Sequence, residues 1–160
     1  MVKKIVGTGV LLVLALALQA GVKMYTLKSP DGKVKLEVTA GQGIAYSLFY
    51  DGRLLLKPSR IALHTDLPEA DHWENIRITG TKQRHVSETV QAPFYRVKEF
   101  GIDCNELELR LNNGFSLLMR AYNDGMAYRF VAGRKGEMTV VEERAEFNFA
   151  DDFEAYIPYS

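Results

Sequence analysis

Cysteine is almost absent from this sequence: Cys104 is the single thiol among 160 residues. One cysteine cannot form a disulfide within the chain, so the sequence is not a disulfide-stabilised scaffold. Proline is scarce too, at five residues, and neither sign of charge is in excess, because 20 basic and 20 acidic residues cancel. This balance disfavours the basic face that nucleic-acid binding requires. We therefore expect a globular domain without a nucleic-acid partner.

The sequence also lacks common motifs of catalytic and metal sites: it has no glycine-rich phosphate loop, no Gly-x-Ser-x-Gly elbow and no zinc pattern. His64, His72 and His85 are not spaced to bring two imidazoles onto one helix turn or strand face. Cys104 has no local histidine partner and is interpreted as a small strand residue. A late cluster of acids lacks the order of a calcium loop and is interpreted as a solvated edge: Glu142, Glu143, Glu146, Asp151, Asp152 and Glu154. Local motifs alone predict no active site.

The longest apolar run is short and lies near the N-terminus, over residues 5–18, directly after Lys3 and Lys4. It falls below the roughly 20 residues that a membrane-spanning helix needs. A basic start, an apolar stretch and Ala20 at its end are the layout of a secretory signal peptide. We expect residues 1–20 to be removed and the protein to be exported, to the periplasm or the extracellular space, without stable membrane insertion. An uncleaved anchor is the alternative.

Beyond residue 20 the apolar residues repeat with a period of two, as in 34–38, 44–50 and 107–111. Such alternation indicates strands with one buried face and one solvated face. Residues 115–122 and 126–132 are more continuously apolar, which predicts strands that are covered on both faces. No amphipathic helix is found after the N-terminal run.

Turn signals separate these strands. Residues 66–74 are predicted to form a loop anchored by Trp73, and residues 86–103 a long irregular connection. Four pairs of an Asx residue followed by glycine favour tight hairpins: Asp31-Gly32, Asp51-Gly52, Asn113-Gly114 and Asp124-Gly125. The expected fold is therefore an antiparallel, all-β sandwich or barrel.

Six short segments share their order and spacing with one protein family, namely LKSPDGKVKL at 27–36, LLLKPS at 54–59, CNEL at 104–107, AYNDGMAYRF at 121–130, EFNF at 146–149 and AYIP at 155–158. Together they resemble the N-terminal domain of glycoside hydrolase family 97, whose members are mostly exported bacterial α-glucosidases and α-galactosidases. The resemblance extends from Leu27 to Pro158. The segment Pro93-Phe94-Tyr95 replaces a tryptophan-rich stretch of the glucosidase branch, so the chain looks more like the α-galactosidase branch.

The resemblance implies a β-super-sandwich akin to galactose mutarotase, followed in the family by a (β/α)8 catalytic barrel and a small β domain. It also implies that the catalytic carboxylates and most calcium ligands lie on that barrel. Residues 21–160 would then be a partial N-terminal domain without catalytic residues or a metal site of its own. The domain would buttress the downstream barrel and shape its pocket for an oligosaccharide, and calcium would be a cofactor of the full-length enzyme.

The family motifs also supply four candidate substrate-binding residues: Glu106, Arg129, Asn105 and Asp124. Each candidate has a structural alternative. Asn105 and Glu106 would satisfy backbone groups, Asp124-Gly125 would form a turn, and Arg129 would pair with a carboxylate across strands. The structural alternatives are favoured, and Glu106 and Arg129 are the strongest candidates for a role beyond supporting the fold.

Two other function classes remain open at this point. A free-standing carbohydrate-binding module would present an aromatic platform to sugar rings, with Trp73, Phe94 and Tyr95 as its candidates. A purely structural exported β-sandwich would need no such platform.

Overall fold

The computed structural model describes residues 23–94, 96–133 and 135–154. The expected signal peptide at 1–20, Tyr95 and the 155–158 motif lie outside these described residues. The described ranges contain strands and turns but no helix, and hence no helix that could span a membrane.

The described strands form two antiparallel sheets, which confirms the all-β prediction. The strands are β1 Met24–Lys28, β2 Val34–Gly41, β3 Gly43–Tyr50, β4 Arg53–Thr65, β5 Ile78–Gln91, β6 Glu99–Leu111, β7 Phe115–Tyr122, β8 Gly125–Ala132 and β9 Val140–Ala145. The first sheet has the order β1-β2-β3-β4-β9, and the second sheet has the order β5-β6-β7-β8. Neighbours in sequence are mostly neighbours in space, as hairpin connections require.

The core lies between the two sheets and is made of alternate residues from each. Leu36 and Val38 of β2 are fully buried, as are Leu109 of β6 and Leu117 of β7. The period of two places every second side chain on the inner face, where burial stabilises the fold by about 25 cal/mol per Å² of apolar area. The predicted alternation of 34–38 and 107–111 is confirmed.

The prediction that β7 and β8 are covered on both faces is wrong. In β7 the inner residues Phe115 and Leu117 are buried, whereas the outer residue Leu118 is only half-buried. The outer residues of β8 that include Arg129 and Val131 are exposed. Within the described part of the chain, β7 and β8 therefore pack against the other sheet on their inner face only. The apolar run is continuous because apolar residues also occupy the outer face, where no second layer of described residues covers them.

The four predicted turns are present, although one uses different residues. Asp51 and Gly52 have φ angles of 48° and 78°, so both central residues of this hairpin lie in the left-handed region. At the fourth turn Tyr122 pairs with Gly125, which leaves Asn123 and Asp124 as the loop residues. That turn therefore forms without a glycine in the left-handed region.

The predicted loop over 66–74 is confirmed, and Trp73 anchors it as expected. The side chain of Trp73 is 6% exposed, and its Nε1 donates to the Leu63 carbonyl over 3.1 Å. Its ring packs against Phe115 and Phe130, with centroids 6.1 and 5.3 Å apart. These contacts fix the loop across one end of the core.

The irregular connection predicted for 86–103 is wrong, because this stretch forms the outer part of a long hairpin. Strands β5 and β6 remain paired as far as Gln91 and Glu99, whereas β7 pairs with β6 only from Asn105 onward. Residues 86–94 and 96–104 therefore form a two-stranded ribbon beyond the sandwich, which we call the arm. Pro93 lies in the turn at its tip and does not interrupt a strand.

Candidate functional site

Glu106, the first candidate, lies at the centre of an ion triad on the outer face of the second sheet. The strand register places it directly between Arg84 of β5 and Arg120 of β7. Its Oε1 accepts from Nε of Arg84 over 2.7 Å, and its Oε2 accepts from Nε of Arg120 over 2.8 Å. The Glu106 side chain is only 5% exposed, so the two arginines cover it.

The electrostatics of the triad keep Glu106 ionised. Burial is the largest single influence and opposes ionisation, but the hydrogen bonds and the positive charges of Arg84 and Arg120 together outweigh it, so the pKa of Glu106 lies below its ordinary value. Hydrogen bonding to Glu106, and then to Tyr122, raises the pKa of Arg120. A permanently charged carboxylate with both oxygens engaged is poorly suited to act as a general acid or a nucleophile. The structural role predicted for Glu106 was to satisfy backbone groups, but its partners are two arginine side chains.

Asn105 points to the opposite face of β6 and satisfies a backbone group, as its structural alternative predicted. Its Nδ2 donates to the Lys28 carbonyl of β1 over 2.9 Å. Its Oδ1 lies 3.0 Å from Nδ1 of His85, whose Nε2 is 3.1 Å from a carboxylate oxygen of Asp103. Asn105 therefore ties the end of β1 to the second sheet.

An open groove of about 500 Å³ lies between β1 and the β5–β6 hairpin. Gln83 crosses it and donates to the Thr26 carbonyl over 2.9 Å. The groove contains hydrogen-bonding groups but no aromatic ring against which a sugar could stack. Its lining residues are Thr26, Leu27, Lys28, Gln83, Arg84, His85, Asn105 and Glu106.

Arg129 and Asp124 lie away from this groove. Arg129 is exposed on the outer face of β8, directly opposite Leu118. The predicted cross-strand pair with a carboxylate is therefore wrong, because the register offers an apolar partner. Asp124 lies in the exposed turn before β8, as its structural alternative predicted. The structure brings Asn105 and Glu106 together at one groove, and the substrate-binding role of all four candidates stays a prediction.

Sequence reasoning missed Arg84 and Arg120, which complete the triad. Arg120 could have been found by counting outward from the Asn113-Gly114 turn, since the hairpin places Glu106 directly opposite it. Arg84 could not have been found by counting from a turn, because the β5–β6 register depends on the length of the arm and on an irregularity between Ile78 and Gly80.

The three aromatic residues proposed as a sugar platform do not come together in the described structure. Trp73 is buried in the core, as given above, and its ring is not available to a ligand. Phe94 is 98% exposed at the tip of the arm, and Tyr95 lies outside the described residues. Among these candidates, only Phe94 is seen on the surface.

The described residues contain no group of three or more His, Cys, Asp or Glu side chains that could hold a metal ion. Members of the late acidic cluster have other partners. Glu143 accepts from the Tyr128 hydroxyl, and Glu146 accepts from the Arg60 amide and from Arg144. Strand β9, which carries Glu142 and Glu143, is exposed along its length.

Comparison with known proteins connects this fold to a family. Residues 27–160 match the family model described as Glycosyl-hydrolase 97 N-terminal. The chain is 40% identical over 145 residues to a retaining alpha-galactosidase from Bacteroides thetaiotaomicron, a match that covers 90% of this chain and 22% of the relative. It is 26% identical over 132 residues to a probable retaining alpha-galactosidase from Streptomyces bingchenggensis, covering 80% of this chain and 20% of the relative.

Solved structures give the same result for the fold. A beta-arabinopyranosidase superposes with a TM-score of 0.69 at 25% identity, over 78% of this chain and 21% of that protein. A glycoside hydrolase family 97 enzyme from Pseudoalteromonas sp. strain K8, in complex with panose, superposes with a TM-score of 0.66 at 18% identity, over 79% and 20%. The chain thus spans about a fifth of the length of the relatives it matches. With its two-sheet sandwich and these matches, the chain belongs to glycoside hydrolase family 97, as an N-terminal domain of that family.

Proposed function

We propose that this chain works as the N-terminal accessory domain of a retaining α-galactosidase, in which it buttresses a catalytic barrel and shapes the rim of its sugar pocket. The observation that carries the proposal is the 40% identity to a retaining alpha-galactosidase over 90% of the chain. A second relative, a probable retaining alpha-galactosidase, supports it at 26% identity.

The geometry of the described residues supports an accessory role over a catalytic one. A glycosidase needs two carboxyl groups facing one bond, about 5–5.5 Å apart for retention. The most buried carboxylate here is that of Glu106, and two arginines occupy both of its oxygens. The reaction is therefore assigned to the part of the polypeptide that the longer relatives carry in addition.

The remaining expectations belong to the same proposal. Calcium would act in the full-length enzyme and be held mainly outside this domain, since the described residues offer no suitable cluster of ligands. Export to the periplasm or the extracellular space is proposed from the N-terminal sequence alone. The partners would be the catalytic barrel and an oligosaccharide.

The proposal is tested with the gene product that includes all downstream coding sequence. We expect it to hydrolyse p-nitrophenyl α-D-galactopyranoside well above the corresponding α-glucoside, with the α anomer as first product in proton NMR. The corresponding β-L-arabinopyranoside is the control substrate, chosen because of the structural match to a beta-arabinopyranosidase.

The 160-residue chain is assayed in parallel and should show no turnover of any of these substrates. Chelation of calcium should lower the activity of the longer product, and calcium should restore it. A longer product without α-galactosidase activity would refute the proposed activity, and turnover by the 160-residue chain would refute the accessory role.

A further inference from the structure

The outer face of the second sheet carries a band of positive charge. Two adjacent rows of cross-strand neighbours run across all four strands, one through 82, 108, 118 and 129, the other through 84, 106, 120 and 127. The two rows hold four basic and two acidic side chains, a net charge of +2 in a chain whose total charge is zero: Lys82, Arg84, Arg120 and Arg129 against Glu106 and Glu108.

Both acids of this band are already engaged on the β5–β6 side. Glu106 is held by Arg84 and Arg120, as described. Glu108 lies opposite Lys82, and its Oε1 is 4.0 Å from Nε of Arg110. The unbalanced charge therefore lies toward β7 and β8, where Arg120 and Arg129 are diagonal neighbours. Two like charges at diagonal positions on one sheet face repel each other, and an anion bound between them removes this repulsion.

A depression lies at this place because two outer residues of β8 are small. Gly125 and Ala127 face Tyr122 and Arg120 across the ladder. The depression has a volume of about 180 Å³ and is lined by two arginines, two tyrosines, a leucine and an alanine, but by no Asp or Glu. The lining residues are Leu118, Arg120, Tyr122, Ala127, Tyr128 and Arg129.

The two arginines of the depression differ in how strongly neighbouring side chains restrain them. The side chain of Arg120 is 24% exposed, Glu106 holds its Nε at 2.8 Å, and Tyr122 forms a further hydrogen bond with it. A guanidinium group has five N–H donors, so donors remain for a ligand. Among the described residues Arg129 has no carboxylate partner, and it is exposed. A donor that is already fixed loses little conformational entropy when it binds a ligand.

We propose that Arg120 and Arg129 bind one carboxylate group in this depression. Arg120 is the fixed donor, and Arg129 is the donor that orders when the anion arrives. Guanidinium groups suit this ligand because their paired N–H donors match the two oxygens of a carboxylate. The carboxylate comes from a free organic acid, such as an acidic sugar, or from an Asp or Glu side chain of the longer enzyme proposed above. The second source rests on the proposed function, because positions 1–22, 95, 134 and 155–160 of this sequence contain no Asp or Glu.

The test is an NMR titration of the full 160-residue chain, which follows the arginine Nε–Hε signals. Sodium acetate is added against sodium chloride at constant ionic strength. We expect saturable shifts at Arg120 and Arg129 with acetate, and none with chloride alone. Arg129→Gln should weaken acetate binding by about tenfold, as expected for the loss of a charge-assisted hydrogen bond.

Arg110→Gln is the matched control, since it removes the same charge from the same sheet face but outside the depression; it should change the acetate affinity less than twofold. The proposal is overturned if no signal saturates, if chloride causes the same shifts, or if Arg129→Gln binds as the wild type does. A melting curve confirms that each variant is folded.

A second titration uses the longer gene product and separates the two sources of the carboxylate. If acetate still binds, the ligand is a free acid; if acetate no longer binds, an internal carboxylate already fills the depression. Neither titration depends on glycosidase activity. The proposed function and the proposed anion site can therefore be refuted separately.

Discussion

The hydroxyl of Tyr128 donates a hydrogen bond to a carboxylate oxygen of Glu143 over 3.1 Å, and this contact joins the two sheets. Tyr128 lies on β8, at one edge of the second sheet, and Glu143 lies on β9, at one edge of the first sheet. The Tyr128 ring also packs against Tyr46, with centroids 6.2 Å apart. At the opposite edges, the bond from Gln83 to the Thr26 carbonyl has the same role. Each open side of the sandwich is thus bridged by a side chain.

Alkaline pH should weaken the Tyr128 bridge. Burial, followed by the hydrogen bond to Glu143, raises the pKa of Tyr128 to about 12, from an ordinary value of 10.0. Because the folded state holds this proton more tightly, the contribution to stability is complete below pH 10 and is lost as pH rises toward 12. Urea unfolding at several pH values should show a steeper loss of stability for the wild type than for Tyr128→Phe.

At pH 8 the same Tyr128→Phe variant should be less stable by about 1 kcal/mol, since one exposed hydrogen bond is removed and the ring is kept. Tyr50→Phe, which alters an exposed ring elsewhere, is the control. Equal pH slopes for Tyr128→Phe and wild type between pH 10 and 12 would contradict this account.

Replacement of Glu106 by glutamine should destabilise the domain by about 1.5–3 kcal/mol, the range for hydrogen bonds to charged groups. The variant leaves Arg84 and Arg120 facing a neutral amide, which can accept but carries no charge. Glu108→Gln, one position along the same face, should cost less than about 0.5 kcal/mol. Chemical denaturation of both variants measures the difference, and similar losses would argue against the triad.

Low pH should reduce the stability of the domain through protonation of Glu106. The pKa of Glu106 in the folded chain lies below its ordinary value of 4.5, so its contribution is present above that value and is lost as pH falls through the lower folded pKa. The stability of Glu106→Gln should therefore vary less than that of the wild type below pH 4.5. Thermal unfolding at pH 3 to 7 checks this, and parallel curves would count against it.

Trp73 should behave as a core residue and not as a sugar platform. Trp73→Ala should cost about 3–5 kcal/mol, because it opens a cavity beside Phe115 and Phe130. Phe94→Ala, at the exposed tip of the arm, should change the stability by less than about 0.5 kcal/mol. Denaturant midpoints give both values, and a small loss for Trp73→Ala would mean that its ring is not packed as described.

Gly52 and Gly125 should respond differently to the same substitution. Gly52 has a φ of 78°, so alanine there should cost about 1–2 kcal/mol through backbone strain. Gly125 has no positive φ, and a Cβ added there meets nothing within 4 Å, so Gly125→Ala should be close to neutral. Thermal melts of the two variants provide the comparison, and equal losses would contradict the turn assignment.

The sequence carried most of the information needed for the sandwich. Alternation identified the buried faces of β2 and β6 because each packs on one side only, and the Asx-Gly pairs marked the hairpins because few residues tolerate a positive φ. Counting residues outward from the Asn113-Gly114 turn would also have placed Glu106 opposite Arg120. These features depend on residues close together in the chain, where local geometry determines contact.

The remaining features depend on contacts that local patterns do not encode. The arm was missed because only Val86 and Cys104 at its base are buried, whereas the residues beyond them are mostly exposed, so its alternation of apolar and polar residues is weak. The pairing of β4 with β9 joins Ile61 to Ala145, and the order of strands between them does not follow from either sequence.

The arm has a consequence for how the domain opens. Each strand of its outer half has the other as its hydrogen-bonded neighbour, and the last of these contacts is the Ala92 amide with the Lys98 carbonyl at 2.7 Å. The tip can therefore fray by itself, and amide protons there should exchange with deuterium far sooner than those of residues 107–111. Insertions or deletions near Pro93 would change the reach of the ribbon while the packed layers kept their register.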